Sequence, residues 1–432
     1  MPQDNVIQQG DIQSFSVQYH TSQHSSAIDL SRIWSHFSIY ENIERNYIEG
    51  EITLVDAQDS FARLPIVSGD RIDVSFKTPS AASSYTFSGS VYEIDSRVQP
   101  TQGTQIYVLK FISNEFLVNQ RIKFSKAYNQ MLISDMVDKI YEQYVSSSTQ
   151  KKINIVPTLN TTSCVVPMQS PFKAMNWLSQ WAVSPEYRDG ASYVFFENRH
   201  GYYFGPIEAL VDPNLISQPA ASYKKNITLT DKTDIKEGHN TIVEFDAKGH
   251  DHLTSIVTGM YAGRIETHDI VLRQISSQSY NYFDEYSSMQ HLEKGTLHND
   301  NNLGAYTDSY VKYTPSHHAA YPNQNSSRTN QTALVRNSQL AQYNDYISGV
   351  TVPGDSDRTI GEVIDIALPN ASPNLEDSSE GVDKYLSGRY LITALRHILN
   401  RKDNQVSHLT KMELSKDSYQ TSLPEKLVDP WR

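Results

Sequence analysis

Ile106-Tyr107-Val108-Leu109-Lys110-Phe111-Ile112, then Glu115-Phe116-Leu117-Val118, then Arg121-Ile122-Lys123-Phe124-Ser125-Lys126-Ala127-Tyr128, and then Ile133-Ser134-Asp135-Met136-Val137-Asp138-Lys139-Ile140-Tyr141-Glu142-Gln143-Tyr144: within this stretch the period of the chain changes. The first run predicts an apolar strand, and the next two predict a connector. The last predicts an amphipathic helix, because Ile133, Met136, Val137, Ile140, Tyr141 and Tyr144 fall at i, i+3, i+4, i+7, i+8 and i+11. Ser134 is placed as its N-cap, and Asp135 suits the positive end of the helix dipole. The switch marks a boundary between a β-rich module and one that carries helices.

On the N-terminal side the chain alternates as half-buried strands do. Arg71-Ile72-Asp73-Val74-Ser75-Phe76 puts three apolar groups on one face, after the turn signal Gly69-Asp70. Residues 51–55, 85–94 and 105–112 read as further strands, so an antiparallel barrel or sandwich is expected. On the C-terminal side, Ser170 precedes Pro171 and apolar residues at 174, 175, 178, 181 and 182, which predicts a capped helix. Tyr193-Val194-Phe195-Phe196-Glu197 and Tyr202-Tyr203-Phe204 flank Asn198-Arg199-His200-Gly201, a hairpin with a four-residue turn and one face on the two helices. Strands are expected again at 241–245, 253–260 and 264–274, a helix at 334–346, and strands in 349–369 broken by Pro353-Gly354-Asp355. Between 295 and 332 the sequence is polar, so a partly ordered surface segment is expected there, with a second polar loop at 370–383. The last unit is a hairpin of 388–398 with 406–414 about the turn Asn400-Arg401-Lys402-Asp403-Asn404.

At 432 residues the chain has room for roughly three domains. A hydrophobic share of 38%, a charged share of 20% and 27 tyrosines point to an extended β protein with polar surfaces. A net charge of −12 argues against nucleic-acid readout. The start, residues 1–10, lacks the apolar core of a secretory signal, and no run approaches the ~20 apolar residues of a membrane span. Cys164 is the single cysteine, which excludes an intramolecular disulfide and a cysteine-based zinc site and fits folding in a reducing cytoplasm.

Nothing in the sequence forms a phosphate loop, a dinucleotide fingerprint, a nucleophile elbow or a His-Glu-Xaa-Xaa-His helix. His250-Asp251-His252 has a spacing that can hold a metal, but it follows Lys248-Gly249 in a turn and no third ligand is implied. His317-His318 reads as surface. The acid pairs Asp284-Glu285 and Glu376-Asp377 are what an acidic chain must contain, and Cys164 sits in a strand-like context that favours a buried inert thiol. Trp177, Trp181, Phe195, Phe196, Tyr202 and Phe204 read as core before they read as a sugar-binding cleft. No catalytic, cofactor-binding or metal residues are therefore assigned.

Ser38-Ile39-Tyr40-Glu41, Leu64-Pro65-Ile66-Val67-Ser68-Gly69-Asp70, Phe124-Ser125-Lys126-Ala127-Tyr128 leading into the helix at Ser134, Pro171-Phe172-Lys173-Ala174-Met175-Asn176-Trp177-Leu178, the aromatic hairpin 193–204, and Ser387-Gly388-Arg389-Tyr390-Leu391-Ile392-Thr393 with His397 are similar in order and spacing to baseplate hub proteins of contractile-tailed bacteriophages. That fold is shared with the N-terminal half of type VI secretion spike proteins. The resemblance covers residues 11–417 and implies a mainly β fold: a first tail-tube-like antiparallel β-barrel at 1–128, a helix-containing α+β module at 129–225, a second barrel region at 226–417 with a polar insertion at 295–332, and a tail at 418–432. It implies a homotrimer forming a pseudo-sixfold ring that adapts the hexameric tail tube to a threefold central spike. Other baseplate wedge proteins and the tape measure protein are implied neighbours, in a virion assembled in the host cytoplasm. The absence of an appended spike before Arg432 speaks for a separate spike protein. Two alternatives stay open: a carbohydrate-binding or cell-wall-degrading tail protein, and a type VI spike-like protein.

Overall fold

Alternation of buried and exposed side chains builds the first β unit. Its strands are β1 (Ser14–His20), β2 (Trp34–Asn42), β3 (Glu49–Asp56), β4 (Arg71–Lys77), β5 (Tyr85–Thr101) and β6 (Thr104–Ser113). They pair antiparallel in the order β2-β3-β6-β5-β4-β1. In β4, Ile72, Val74 and Phe76 are buried, as the alternation predicts. Phe37 anchors this core with its ring centroid 5.9 Å from both Phe76 and Phe111. Gly50 lies so close to Phe111 that a Cβ would meet the ring at 2.4 Å, so the backbone there must stay bare. These observations come from a computed structural model that describes residues 12–21, 26–57, 66–159, 161–187, 190–216, 218–225, 240–248, 251–270, 272–296, 301–316, 326–370, 382–402 and 405–421.

The period switch is present, and the connector differs from expectation. Its Glu115-Phe116-Leu117-Val118 run lies in a helix, α1 (Asn114–Arg121), followed by strand β7 (Phe124–Leu132) and helix α2 (Ile133–Tyr144). The buried residues of α1 are Glu115 and Asn119, while Phe116 is half-buried, so its inward face is polar and no apolar stripe announces it. In α2 the expected stripe is buried from Ile133 to Tyr141. Ser134 is not its N-cap. Leu132 holds that position, and the Ser134 N–H donates instead to the Thr158 hydroxyl at 3.0 Å, a tertiary partner for an orphan helix donor.

Next come β8 (Lys152–Ile155), β9 (Thr161–Gln169), α3 (Pro171–Ser179), β10 (Val194–Asn198) and β11 (Gly201–Gly205). Ser170 is the N-cap of α3 and Pro171 opens it, as expected, although the Ser170 side chain makes no capping bond. β9 pairs with β7, and β11 lies between β10 and β8. The hairpin turn is two residues long, Arg199-His200, because Asn198 and Gly201 form the last rung. Gly201 has φ +128, and a Cβ there would lie 2.4 Å from the Lys152 carbonyl. Phe195 and Tyr202 pack on the helices, with ring centroids 5.4 Å (Phe172–Phe195) and 5.7 Å (Tyr141–Tyr202) apart. Phe196 and Tyr203 point the other way, into the core of the second β region.

That region comprises α4 (Ile207–Val211), β12 (Ser222–Lys224), β13 (Glu244–Lys248), α5 (His252–Val257), β14 (Ala262–Asp269), β15 (Gln274–Asn281), β16 (Val311–Ser316), α6 (Ser326–Asp345), β17 (Ile347–Pro353), β18 (Val363–Ala367), β19 (Gly388–Lys402) and β20 (Gln405–Ser415). The expected strand at 253–260 is largely α5, started by Asp251, whose carboxylate accepts the Thr254 N–H at 3.1 Å. The single strand expected at 264–274 is a hairpin, β14 and β15. The polar 295–332 segment is also more regular than expected: β16 runs parallel to β14, and α6 begins at Ser326. α6 agrees with the helix expected at 334–346 and starts earlier; its Ser338, Gln339 and Gln342 are buried and hydrogen-bonded, with Gln339 accepting the Ala191 N–H at 3.0 Å. The final hairpin extends past its expected turn, since Lys402 pairs with Gln405; Asp403 and Asn404 lie outside the described residues.

One pairing fixes the architecture. β19 pairs with β20, with β18 and, through residues 394–400, with β2, so both β regions belong to one sheet, in which β13-β17-β20-β19 continues into β2-β3-β6-β5-β4-β1. Leu399 of β19 reaches the first core, whereas Leu391, Ile392 and Leu395 fill the second. Trp177 is half-buried against the helical core, but Trp181 is 40% exposed and is surface, not core. Trp177→Ala is therefore expected to cost about 3 kcal/mol, and Trp181→Ala at most about 1 kcal/mol. Calorimetric melting of both variants checks this, and equal shifts would contradict it.

Candidate functional site

Where β19 crosses from one β unit to the other, the fold buries polar side chains from three parts of the chain. Glu41, near the end of β2, is 2% exposed, and its carboxylate accepts the Tyr85 hydroxyl at 2.6 Å, the Thr359 hydroxyl and the Ile360 N–H at 3.2 Å. Burial holds this carboxyl above the usual range. Arg199 arrives from the tip of the aromatic hairpin. Its guanidinium donates to the Ser356 carbonyl, to the Ser83 hydroxyl at 2.7 Å and to the Ser84 carbonyl at 3.3 Å, and it lies over the Tyr85 ring. Thr78 and Ser356 exchange reciprocal bonds, each N–H reaching the other hydroxyl at 3.1 Å. The Asp357 carboxylate accepts the Ala82 and Ser83 N–H groups at 2.6 and 3.2 Å. Loop 354–362 is thus tied to the first β unit and to the middle module at once.

Beneath it lie two buried imidazoles. His397 Nδ1 is 3.2 Å from His408 Nε2, across the β19–β20 hairpin, and 3.3 Å from the Thr410 hydroxyl. Phe76 and Tyr85 each stand 5.3 Å from the His397 ring. Burial, reinforced by His408, pushes the His397 imidazole well below its ordinary range, so it is neutral.

Two further polar joints hold the middle module. Lys151 Nζ lies 2.8 Å from Glu115 of α1 and 2.6 Å from the fully buried Glu197 of β10, whose carboxyl is raised by burial. Arg336 of α6 donates to the carbonyls of Ala191, Tyr193 and Ser179 at 2.7, 2.8 and 3.1 Å, and burial lowers its pKa to about 10. None of these joints was singled out from sequence as a site. The available signal was a titratable residue inside an apolar strand, as with Glu41 after Ser38-Ile39-Tyr40 and His397 between Leu395 and Ile398.

The residues weighed from sequence are dispersed. Asp251 caps α5, His252 Nδ1 lies 2.8 Å from the Tyr261 hydroxyl, and His250 is outside the described residues. Among the described residues no group of three His, Cys, Asp or Glu side chains could hold a metal. Cys164 is buried with its thiol pushed up by desolvation, 3.7 Å from the Met136 sulfur. Asp284-Glu285 lies in a short helix, Tyr282–Glu285, and Glu376-Asp377 and His317-His318 are outside the described residues. A cleft of about 1050 Å³ runs between the outward faces of β1, β4 and β5 and the Lys151 loop. Its carboxylates are engaged, Asp73 with Arg71 at 2.8 Å and Glu115 with Lys151 at 2.8 Å. No described helix is long and apolar enough to cross a membrane.

Two solved structures share this architecture over nearly the whole chain. A tail protein from Neisseria meningitidis MC58 aligns over 94% of this chain and 97% of its own, with 12% identity and a TM-score of 0.54. The 43 kDa tail protein of prophage MuSo2 from Shewanella oneidensis aligns over 94% and 100%, with 8% identity and a TM-score of 0.55. The fold is that of a phage tail protein. No family model and no curated protein matches at the level of sequence.

In this tail-protein fold the imidazole seam has a signed pH dependence. Unfolding frees His397 to take a proton below its ordinary pKa of ~6.5, so the unfolded chain binds more protons there and stability falls as pH drops from about 7 to 5. Glu362, pushed up to about 7 by burial, works in the opposite sense over the same window. His397→Gln removes only the first contribution. Its melting temperature is expected to fall less steeply between pH 7 and 5 than that of the wild type; parallel slopes would show that the imidazole does not sit neutral in the seam.

Proposed function

We propose that this chain is the structural hub of a phage tail baseplate, without catalysis of its own. The observation that carries the reading is the single sheet in which β19 pairs with both β2 and β20, since it joins two β units into one rigid body. On this reading residues 1–128 and 226–417 are two tail-tube-like barrels carried by the helix-containing module 129–225. Three copies then present six similar units in a ring, which matches a hexameric tail tube on one side and a threefold central spike on the other. The other baseplate wedge proteins and the tape measure protein are the remaining neighbours, and the protein belongs to the virion. The polar seam and the Lys151 and Arg336 joints fit a part that must hold its shape under load.

The expected mass in solution or in the particle is three times 49.0 kDa, and images of the assembled oligomer should show a threefold ring with six peripheral lobes. A monomer at all concentrations, or a ring of other symmetry, would sink the reading. Release of reducing ends from peptidoglycan by the purified chain would turn it toward a cell-wall-degrading protein.

A further inference from the structure

The sheet of β16, β14 and β15 stands apart from the central one. Its inward face is covered: Ile265 and Tyr280 pack with Leu334 and Val335 of α6 in a small core. β14 is paired antiparallel to β15 along its whole length and parallel to β16 through Arg264–Asp269. Among the described residues β15 therefore has a partner on one edge only.

Natural sheets guard such edges with charge or proline. β16 follows that rule through Lys312 and Pro315, but β15 reads Gln-Ile-Ser-Ser-Gln-Ser-Tyr-Asn and carries neither. Gln274, Ile275, Ser276 and Ser277 are all exposed, so both faces of the strand are in water at this end. The apolar side chains cluster here as well. Ile275 and Tyr313 are 73% and 74% exposed beside a depression of about 430 Å³, and the turn between β14 and β15 exposes Ile270 and Leu272. Ile270, Leu272 and Ile275 together offer on the order of 300 Å² of apolar surface, the size of patch that marks interaction sites. With the main chain of an added strand, that approaches the ~800 Å² one partner contributes to a standard interface.

Charge points to the occupant. The chain carries −12, so two copies repel across most of their surfaces. β15 itself is uncharged, the one exposed charge beside it among the described residues is the cationic Arg273, opposite in sign to the chain's net charge, and the neighbouring Arg264 is neutralised by Glu266 at 2.6 Å and Asp308 at 3.1 Å. We propose that β15 is the edge on which a second copy of this chain adds a strand, covering Ile270, Leu272 and Ile275. The proposal rests on the ring reading above and names the surface through which neighbouring copies meet.

The test follows the full-length chain by light scattering over a concentration series. Ile275→Lys with Ser277→Lys puts two charges on exposed edge positions and is expected to raise the concentration for half-assembly roughly tenfold or more, with the melting temperature unchanged. Leu272→Glu, which lies outside the strand, is read in parallel so that a folding defect in β15 is not mistaken for lost docking, and it is expected to act in the same direction. In the assembled wild type the amides of 274–281 gain hydrogen-exchange protection. Wild type and variants assembling at one concentration, with no such gain, overturn this edge and leave the ring reading standing. A wild-type chain that stays monomeric overturns the ring itself, and the second copy as occupant with it.

Discussion

The pairing of β19 with β2 is the contact on which the rest of the molecule depends. A strand has two edges, and β19 uses one for β20 along its length and the other for β18 and then β2. Because side chains alternate across a sheet, a slip of one residue in the β2 register would turn Leu399 out of the first core and bring Asn400 in. The two β units therefore cannot move past one another without losing a core. The polar seam adds directional constraints to that hydrophobic one. Buried charges cost desolvation, and their partners offset it only in good geometry. Arg199 finds acceptors on two separate loops, 83–84 and 356, in one placement of the aromatic hairpin. On this reading the seam contributes uniqueness of arrangement more than net stability.

The same hairpin explains how the middle module is held. Its alternate rings point to opposite sides: Phe195 and Tyr202 into the helical core, Phe196 and Tyr203 into the second β core. It acts as a wedge between two hydrophobic interiors while its turn supplies the arginine of the seam. Strand periodicity produces this division of labour, since residues two apart share a face. A four-residue turn would have cost the last rung, Asn198 with Gly201, and moved Arg199 away from its carbonyls.

What could be read from the sequence was whatever rested on apolar period. The α2 stripe from Ile133 to Tyr141, the alternation of β4, the Pro-started α3 through Leu178 and the last hairpin bury the residues their spacing predicts, while Trp181, just past α3, is exposed. The failures have physical causes. α1 turns Glu115 and Asn119 inward, with the Asn119 side chain accepting the Phe172 N–H at 2.8 Å. When an inward face is polar and satisfied by distant partners, the local pattern carries no trace of it. At 253–260 a helix replaces the expected strand for a nearer reason: Asp251, three residues before Thr254, is a cap signal that outweighs the apolar spacing. The seam was invisible because its members, Glu41, Arg199, Asp357 and His397, are brought together only by the sheet.

A carboxyl raised by burial is a functional clue where a substrate can reach it, since perturbed groups mark active sites when they face a cleft. Here Glu41, Glu197 and Glu208 are all raised by burial, and all are closed off: 2%, 0% and 2% exposed. Each is also committed to partners, Glu41 to Tyr85 and Thr359, Glu197 to Lys151 and Tyr202, and Glu208 to the Ser192 hydroxyl. A general acid needs a free geometry toward the reacting atom. These groups have spent theirs on neighbours drawn from different parts of the chain, which is how a fastener is built.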